Sequence, residues 1–263
     1  MIITLDGAAV GHGIGAAVPA VSLTVAPDVP TAIAVETDER PLVMSMLLGG
    51  RVRPDSGRVT IDGRGDLDEL RRATALVDTP FVAEPPAGIP LASVVAEEFS
   101  FAGLPTSRAA VTGFLAKHNI ADYARVAIRA LPPTDRVRLF SELALLRDGV
   151  EAIVVTSPER HGGNPEGWYS VLAEIAARGI GVAIVTDAAT RDILVRLGAR
   201  DASALPVEPA LPVEPVETPV EPASPIEPAL PVEPVETPVE PALPVEPVET
   251  PPAPEAPATP KAD

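Results

Sequence analysis

Two short apolar runs, AIVV at residues 152–155 and VAIV at residues 182–185, narrow the folds open to this chain. Neither alternates with polar residues, which is the pattern of strands buried on both faces of a parallel sheet. Between them Trp168, Val171, Leu172, Ile175 and Ala176 recur at helical spacing, and Gly179 follows where a helix terminates. The segment reads as strand, helix, strand, with the right-handed crossover that parallel strands adopt almost without exception.

Earlier strand candidates fall at residues 2–5, 21–25, 32–35, 58–61 and 75–77. Helices are expected over residues 94–101 and from Ser107, where Val111, Phe114 and Leu115 share a face. A further helix is expected after Pro132-Pro133, N-capped by Thr134, carrying Leu139, Phe140, Leu143 and Leu146 and stopping at Gly149. Short strands first, helices in the middle and a βαβ unit last make an α/β domain.

That domain covers residues 1–205. Beyond it, residues 206–263 hold 19 of the 33 prolines and 12 of the 37 acids, with Lys261 as their only base. Most of the formal net charge of −17 therefore belongs to this tail, in which ALPVEPVETPVEP repeats from Ala210 and from Ala229. Proline every few residues with glutamate between builds no core, so a disordered spacer is expected, biased toward polyproline II.

The body is acidic and its sequence shows no basic stripe, which argues against a nucleic-acid partner. There is no cysteine, so disulfides and thiolate sites are excluded. The N-terminus lacks a basic region ahead of an apolar one, and no stretch reaches the roughly 18 apolar residues of a membrane span. His12, His118 and His161 are too scattered in sequence to suggest a metal site.

The segment from Thr31 to Gly57 has the frame of a phosphate-binding loop. A strand enters a turn, and a helix follows and stops at Gly49-Gly50. G-x-x-x-x-G-K-[ST] normally fills that turn, because glycine amides approach the phosphate, lysine neutralises it and a hydroxyl holds magnesium. Here Val35 and Arg40 take the glycine positions, Pro41 the lysine and Leu42 the hydroxyl. Pro41 has no N–H to donate, and Glu36, Asp38 and Glu39 would repel a polyphosphate. Losing three or four donors to a charged phosphate costs on the order of 5–10 kcal/mol.

Three longer segments carry a resemblance. PDSGRVTIDG from Pro54 to Gly63 resembles the segment after the Walker A helix in ATP-binding subunits of ABC transporters. Leu131 to Pro165 resembles the signature motif, its helix, Walker B and the D-loop of that family, in order. GIGVAIVTDA from Gly179 to Ala188 is similar to its strand before the switch histidine. The resemblance covers about residues 1–200. It implies an ABC-type P-loop NTPase-like core with antiparallel β and helical subdomains.

It also implies where nucleotide would bind: Asp38, Glu39, Arg40, Pro41, Leu42 and Val43 by family position. The signature position reads Leu131-Pro132-Pro133-Thr134-Asp135, Walker B ends in Thr156-Ser157, and Asp187 replaces the switch histidine. Near Asp78 and Thr79 the family places a glutamine, and this chain contains none. No catalytic residue, no metal and no cofactor are expected, with ATP and magnesium bound only if residual family function persists.

The resemblance implies a cytoplasmic protein peripheral to the membrane, with an integral membrane transporter-like subunit as partner and a homodimer as an open option. Residues 78–91, rich in proline and carrying Phe81, are the expected partner surface. Alternatives are an adaptor with a proline-rich tether and a residually active ATPase using Glu159 as base. Simpler roles stand beside these: Glu159 as a solvated loop carboxylate, Asp187 as an N-cap, Trp168 as core, His12 in a flexible turn, and Gly49-Gly50 as a helix end.

Overall fold

A computed structural model describes residues 1–35 and 40–202. Glu36, Asp38, Glu39 and the proline–glutamate tail lie outside the described residues, and with them the expectations placed there. In chain order the elements begin with β1 (Ile3–Val10), β2 (Val18–Val25), β3 (Thr31–Ala34), α1 (Arg40–Leu48), β4 (Ser56–Ile61), α2 (Leu67–Ala73) and β5 (Thr74–Val77). The helical middle holds α3 (Leu91–Phe101), α4 (Arg108–Lys117) and α5 (Pro133–Ala144). Then come β6 (Ala152–Thr156), α6 (Pro165–Ala176), β7 (Gly181–Thr186), α7 (Ala188–Arg196) and β8 (Arg200–Asp201).

The strands form two sheets. One is antiparallel in the order β2-β1-β4, and the other runs β5-β6-β7-β3-β8 with every described pairing parallel. The expected strands at Ala32, Ala152 and Val182 share the parallel sheet. Its central strands are buried on both faces, as their lack of alternation requires. Ile153, Val155, Val182 and Ile184 pack on one face with Trp168, Leu172, Leu139 and Leu143. Ala152, Val154, Ala183 and Val185 pack on the other with Leu47, Leu48, Leu70 and the antiparallel sheet's Ile3, Leu5 and Leu23.

Gly57 lies in β4 of the antiparallel sheet, facing β1. It sits at φ +68, and a Cβ there would lie 2.2 Å from the carbonyl oxygen of Gly7, where the β1–β4 register shifts. Only a residue without a side chain permits this approach. The glycine of PDSGRVTIDG thus has a packing reason that owes nothing to nucleotide.

Several boundaries differ from the sequence reading. Thr134 is not the cap of α5: Pro132 occupies the N-cap position with extended backbone and Pro133 sits at N1, where a missing N–H is harmless. The helix ends at Ala144, not Gly149, because Leu145 and Leu146 turn the chain through bonds to Ser141 and Leu143 carbonyls. Helix α2 was not expected; only Leu67 and Leu70 recur on it, too few for a stripe. Its signal was Asp66, whose carboxylate accepts from Asp68 and Glu69 amides. Asp187 caps as read, accepting from the Thr190 amide, and Ser107, the expected start of its helix, caps α4 by accepting from the Ala110 amide.

Candidate functional site

The strand–turn–helix frame exists. β3 leads toward α1, and Val35 N–H donates to the Thr186 carbonyl at 2.8 Å, tying the exit of β3 to the end of β7. Arg40, Pro41, Leu42 and Val43 form the first turn of α1 and are half-buried. Pro41 is tolerated there because first-turn amides have no intrahelical acceptor. The same geometry removes one of the amides that a helix N-terminus presents to an anion. At the other end Gly49-Gly50 closes α1, with Gly50 at φ +66 pressed against the Leu67 carbonyl.

Opposite this helix, β6 ends in Thr156, which is 1 % exposed. Its hydroxyl lies 2.8 Å from Ser45 Oγ on α1 and 2.7 Å from Thr79 Oγ1 beyond β5. Three buried hydroxyls satisfy one another in a chain, which is how a buried polar group avoids its desolvation cost. Ser157 follows in a left-handed conformation at φ 46, its amide bonded to the Val185 carbonyl.

Glu159 is not the solvated loop carboxylate of the simpler reading. It is half-buried and accepts a hydrogen bond from the Thr186 hydroxyl at 2.8 Å, at the end of β7. Burial raises its carboxyl above the usual range, only partly offset by the bond from Thr186. Asp187 next door is engaged as the cap of α7.

The strongest electrostatic feature was not foreseen. Asp78, at the end of β5 with φ 52, is a buried hub. Arg136 of α5 donates to both its carboxylate oxygens at 2.7 and 2.6 Å and lies over the Phe140 ring at 5.0 Å. Arg160 donates to the Asp78 carbonyl at 2.6 Å and reaches Glu84 at 3.2 Å, and His161 Nε2 lies 2.9 Å from Asp78 Oδ2.

Burial alone would raise the Asp78 carboxyl. The close contact with His161, the bonds from Arg136 and the charges of Arg136 and Arg160 outweigh it and hold the group down to about 2. Asp78, Glu84 and His161 present donor atoms within 4.8 Å of one another. Two guanidiniums already neutralise the carboxylates, however, and would repel a cation. The signal for this hub was Arg136 itself, an arginine three and four residues before Leu139 and Phe140 on the buried stripe of α5.

The hub fixes the root of the 78–91 loop. The Thr79 carbonyl accepts amides from Val82, Ala83 and Glu84, which throws Phe81 outward at φ 61 with 94 % of its surface exposed. Val82 beside it is half exposed. Phe81 and Val82 together give the turn an exposed apolar tip.

Of the other candidates, Trp168 is fully buried core, and His12 is exposed beside Gly11 and Gly13, both at positive φ. No helix among the described residues is long and apolar enough to cross a membrane.

Comparison with known proteins agrees with this architecture. No protein-family profile matches the chain, and no curated protein matches it in sequence. Solved structures do. A nucleotide-free ATP-binding cassette from an ABC transporter superposes at TM-score 0.55 and 16% identity, over 74% of this chain and 84% of that one. A dimeric bacterial ABC transporter cassette gives 0.53 and 19%, over 73% and 90%. A putative ABC transporter ATP-binding protein from Pyrococcus furiosus gives 0.53 and 13%, over 71% and 92%. The chain has the fold of the ABC transporter ATP-binding cassette.

Proposed function

We propose that this protein is a cassette-like subunit of a membrane complex, with ATP binding and hydrolysis lost or weak, acting in a structural or regulatory role. The observation that carries this reading is Thr156. Where a cassette of this fold would place its magnesium-shell carboxylate, a buried hydroxyl is closed between Ser45 and Thr79. With Pro41 and Leu42 in the first turn of α1, the residues present do not fit magnesium-bound nucleotide.

The partner of this reading is an integral membrane transporter-like subunit, met through the 78–91 loop. Phe81 supplies an apolar anchor, and the Asp78 hub holds the loop in one shape before binding, which lowers the ordering cost of association. Nothing in that contact needs hydrolysis. One solved cassette of this fold is a dimer, and self-association remains part of the proposal. The test is co-purification from membranes. The wild-type chain is expected to recover a multi-spanning protein that Phe81→Asp fails to recover, and equal recovery by both would remove the loop from this role.

One observation favours a second reading. Glu159, half-buried with a raised carboxyl pKa beside the end of β7, has the character of a general base in a weakly active ATPase. Magnesium-dependent phosphate release that vanishes in Glu159→Gln would establish it.

A further inference from the structure

At the C-terminal end of α1, about 13 Å along the helix from its first turn, lies an open cavity of about 770 Å³. Gly50, Arg51 and Arg53 form one wall, and Arg64, Gly65, Asp66, Leu67, Asp68 and Arg71 the other. Four arginines thus converge from two segments, and their compensation is uneven.

Both acids of the cavity are engaged, one by backbone amides and one by a cavity arginine. Asp66 accepts two amides as the cap of α2, and Asp68 makes an exposed pair with Arg71 at 3.1 Å. Arg64 pairs with Glu69 beyond the lining at 2.6 Å. Exposed pairs of this kind contribute only about 0–1 kcal/mol, so a better acceptor displaces them readily. Arg51 is half-buried, and the one hydrogen bond of its guanidinium among the described residues goes to the Gly49 carbonyl. Burial lowers its pKa, and the charges of Arg71 and Arg147 lower it further. Arg53 is exposed and has no carboxylate at ion-pair distance among the described residues. Two cations of the lining therefore have no counter-charge at ion-pair distance among the described residues.

We propose that this cavity binds a small soluble oxyanion carrying more than one negative charge, of the pyrophosphate or phosphate-ester class. Planar guanidiniums bind such oxygens through paired N–H donors, which suits Arg51 and Arg53 on one side and Arg64 on the other. Arg71 instead ties the two walls together, its Nε and Nη2 donating to the Gly50 carbonyl at 3.3 and 3.1 Å. Leu67 is the only large apolar residue in the lining and no aromatic is present, so a nucleobase or an acyl chain finds no seat. Gly65 leaves open space where a side chain would stand. The site lies at the opposite end of α1 from the phosphate-loop turn, and its occupancy does not depend on the function proposed above.

Titration calorimetry of the full chain with inorganic pyrophosphate at low salt tests it. Saturable binding is expected, weakened about tenfold by Arg53→Ala and at least as much by Arg51→Met. Arg108→Ala, an exposed cation on α4 outside the lining, is expected to leave it unchanged. Arg53 is exposed, so its variant reports even if Arg51→Met fails to fold. No saturation up to the order of 10 mM, equal affinity in wild type and Arg53→Ala, or equal weakening by Arg108→Ala would each overturn the proposal.

Discussion

Arg136 clamps the Asp78 carboxylate through two hydrogen bonds, at 2.7 and 2.6 Å, with both side chains almost closed to solvent. The pair joins α5 to the end of β5 and fixes the loop that presents Phe81. Removing one partner leaves the other charge buried. Arg136→Met is therefore expected to destabilise the fold by about 3–5 kcal/mol, read by chemical denaturation. The double variant Arg136→Met/Asp78→Leu should recover a substantial part of that loss.

The same carboxylate sets an acid limit. Its folded pKa of about 2 lies below the unfolded value of about 3.9. Native Asp78 therefore contributes stability that is complete above about pH 4 and lost as pH falls through about 2. That contribution is about 2–3 kcal/mol. Denaturation curves between pH 5 and pH 2, on the order of that window, should fall more steeply for wild type than for Asp78→Asn.

Gly57 tests the packing reason for its motif. Gly57→Ala places a methyl group against the Gly7 backbone at a positive φ, so a loss of about 2–3 kcal/mol or more is expected in thermal or chemical unfolding. A melting temperature within a degree or so of wild type would show that the two strands separate freely there.

Phe81 makes the opposite prediction. It is exposed, so Phe81→Asp is expected to change stability by no more than about 0.5 kcal/mol while abolishing recovery of a membrane partner. A large loss of stability would mean that the side chain packs on the body.

Much of the fold was legible because burial on both faces leaves a continuous apolar run, and residues 152–155 and 182–185 have one each. The caps at Ser107 and Asp187 were legible because a short polar side chain precedes each helix. Helix α2 was not, since two leucines make no periodic signal. The Thr156 position came from the resemblance to Walker B, whereas its partners Ser45 and Thr79 lie 111 and 77 residues away, and no local pattern announces a contact at that separation. Arg136 was visible as a charge on an apolar stripe, but its partner Asp78 is 58 residues off and only the packed fold supplies it.

The proposed loss of nucleotide chemistry is tested most directly by titrating the full chain with ATP in the presence of magnesium, with phosphate release followed in parallel. Pro41 and Leu42 in the first turn of α1, with Thr156 closed between Ser45 and Thr79, predict no saturable binding in the micromolar range and no phosphate release above background. Micromolar affinity, or magnesium-dependent release that Glu159→Gln abolishes, would contradict that and make the protein a working ATPase.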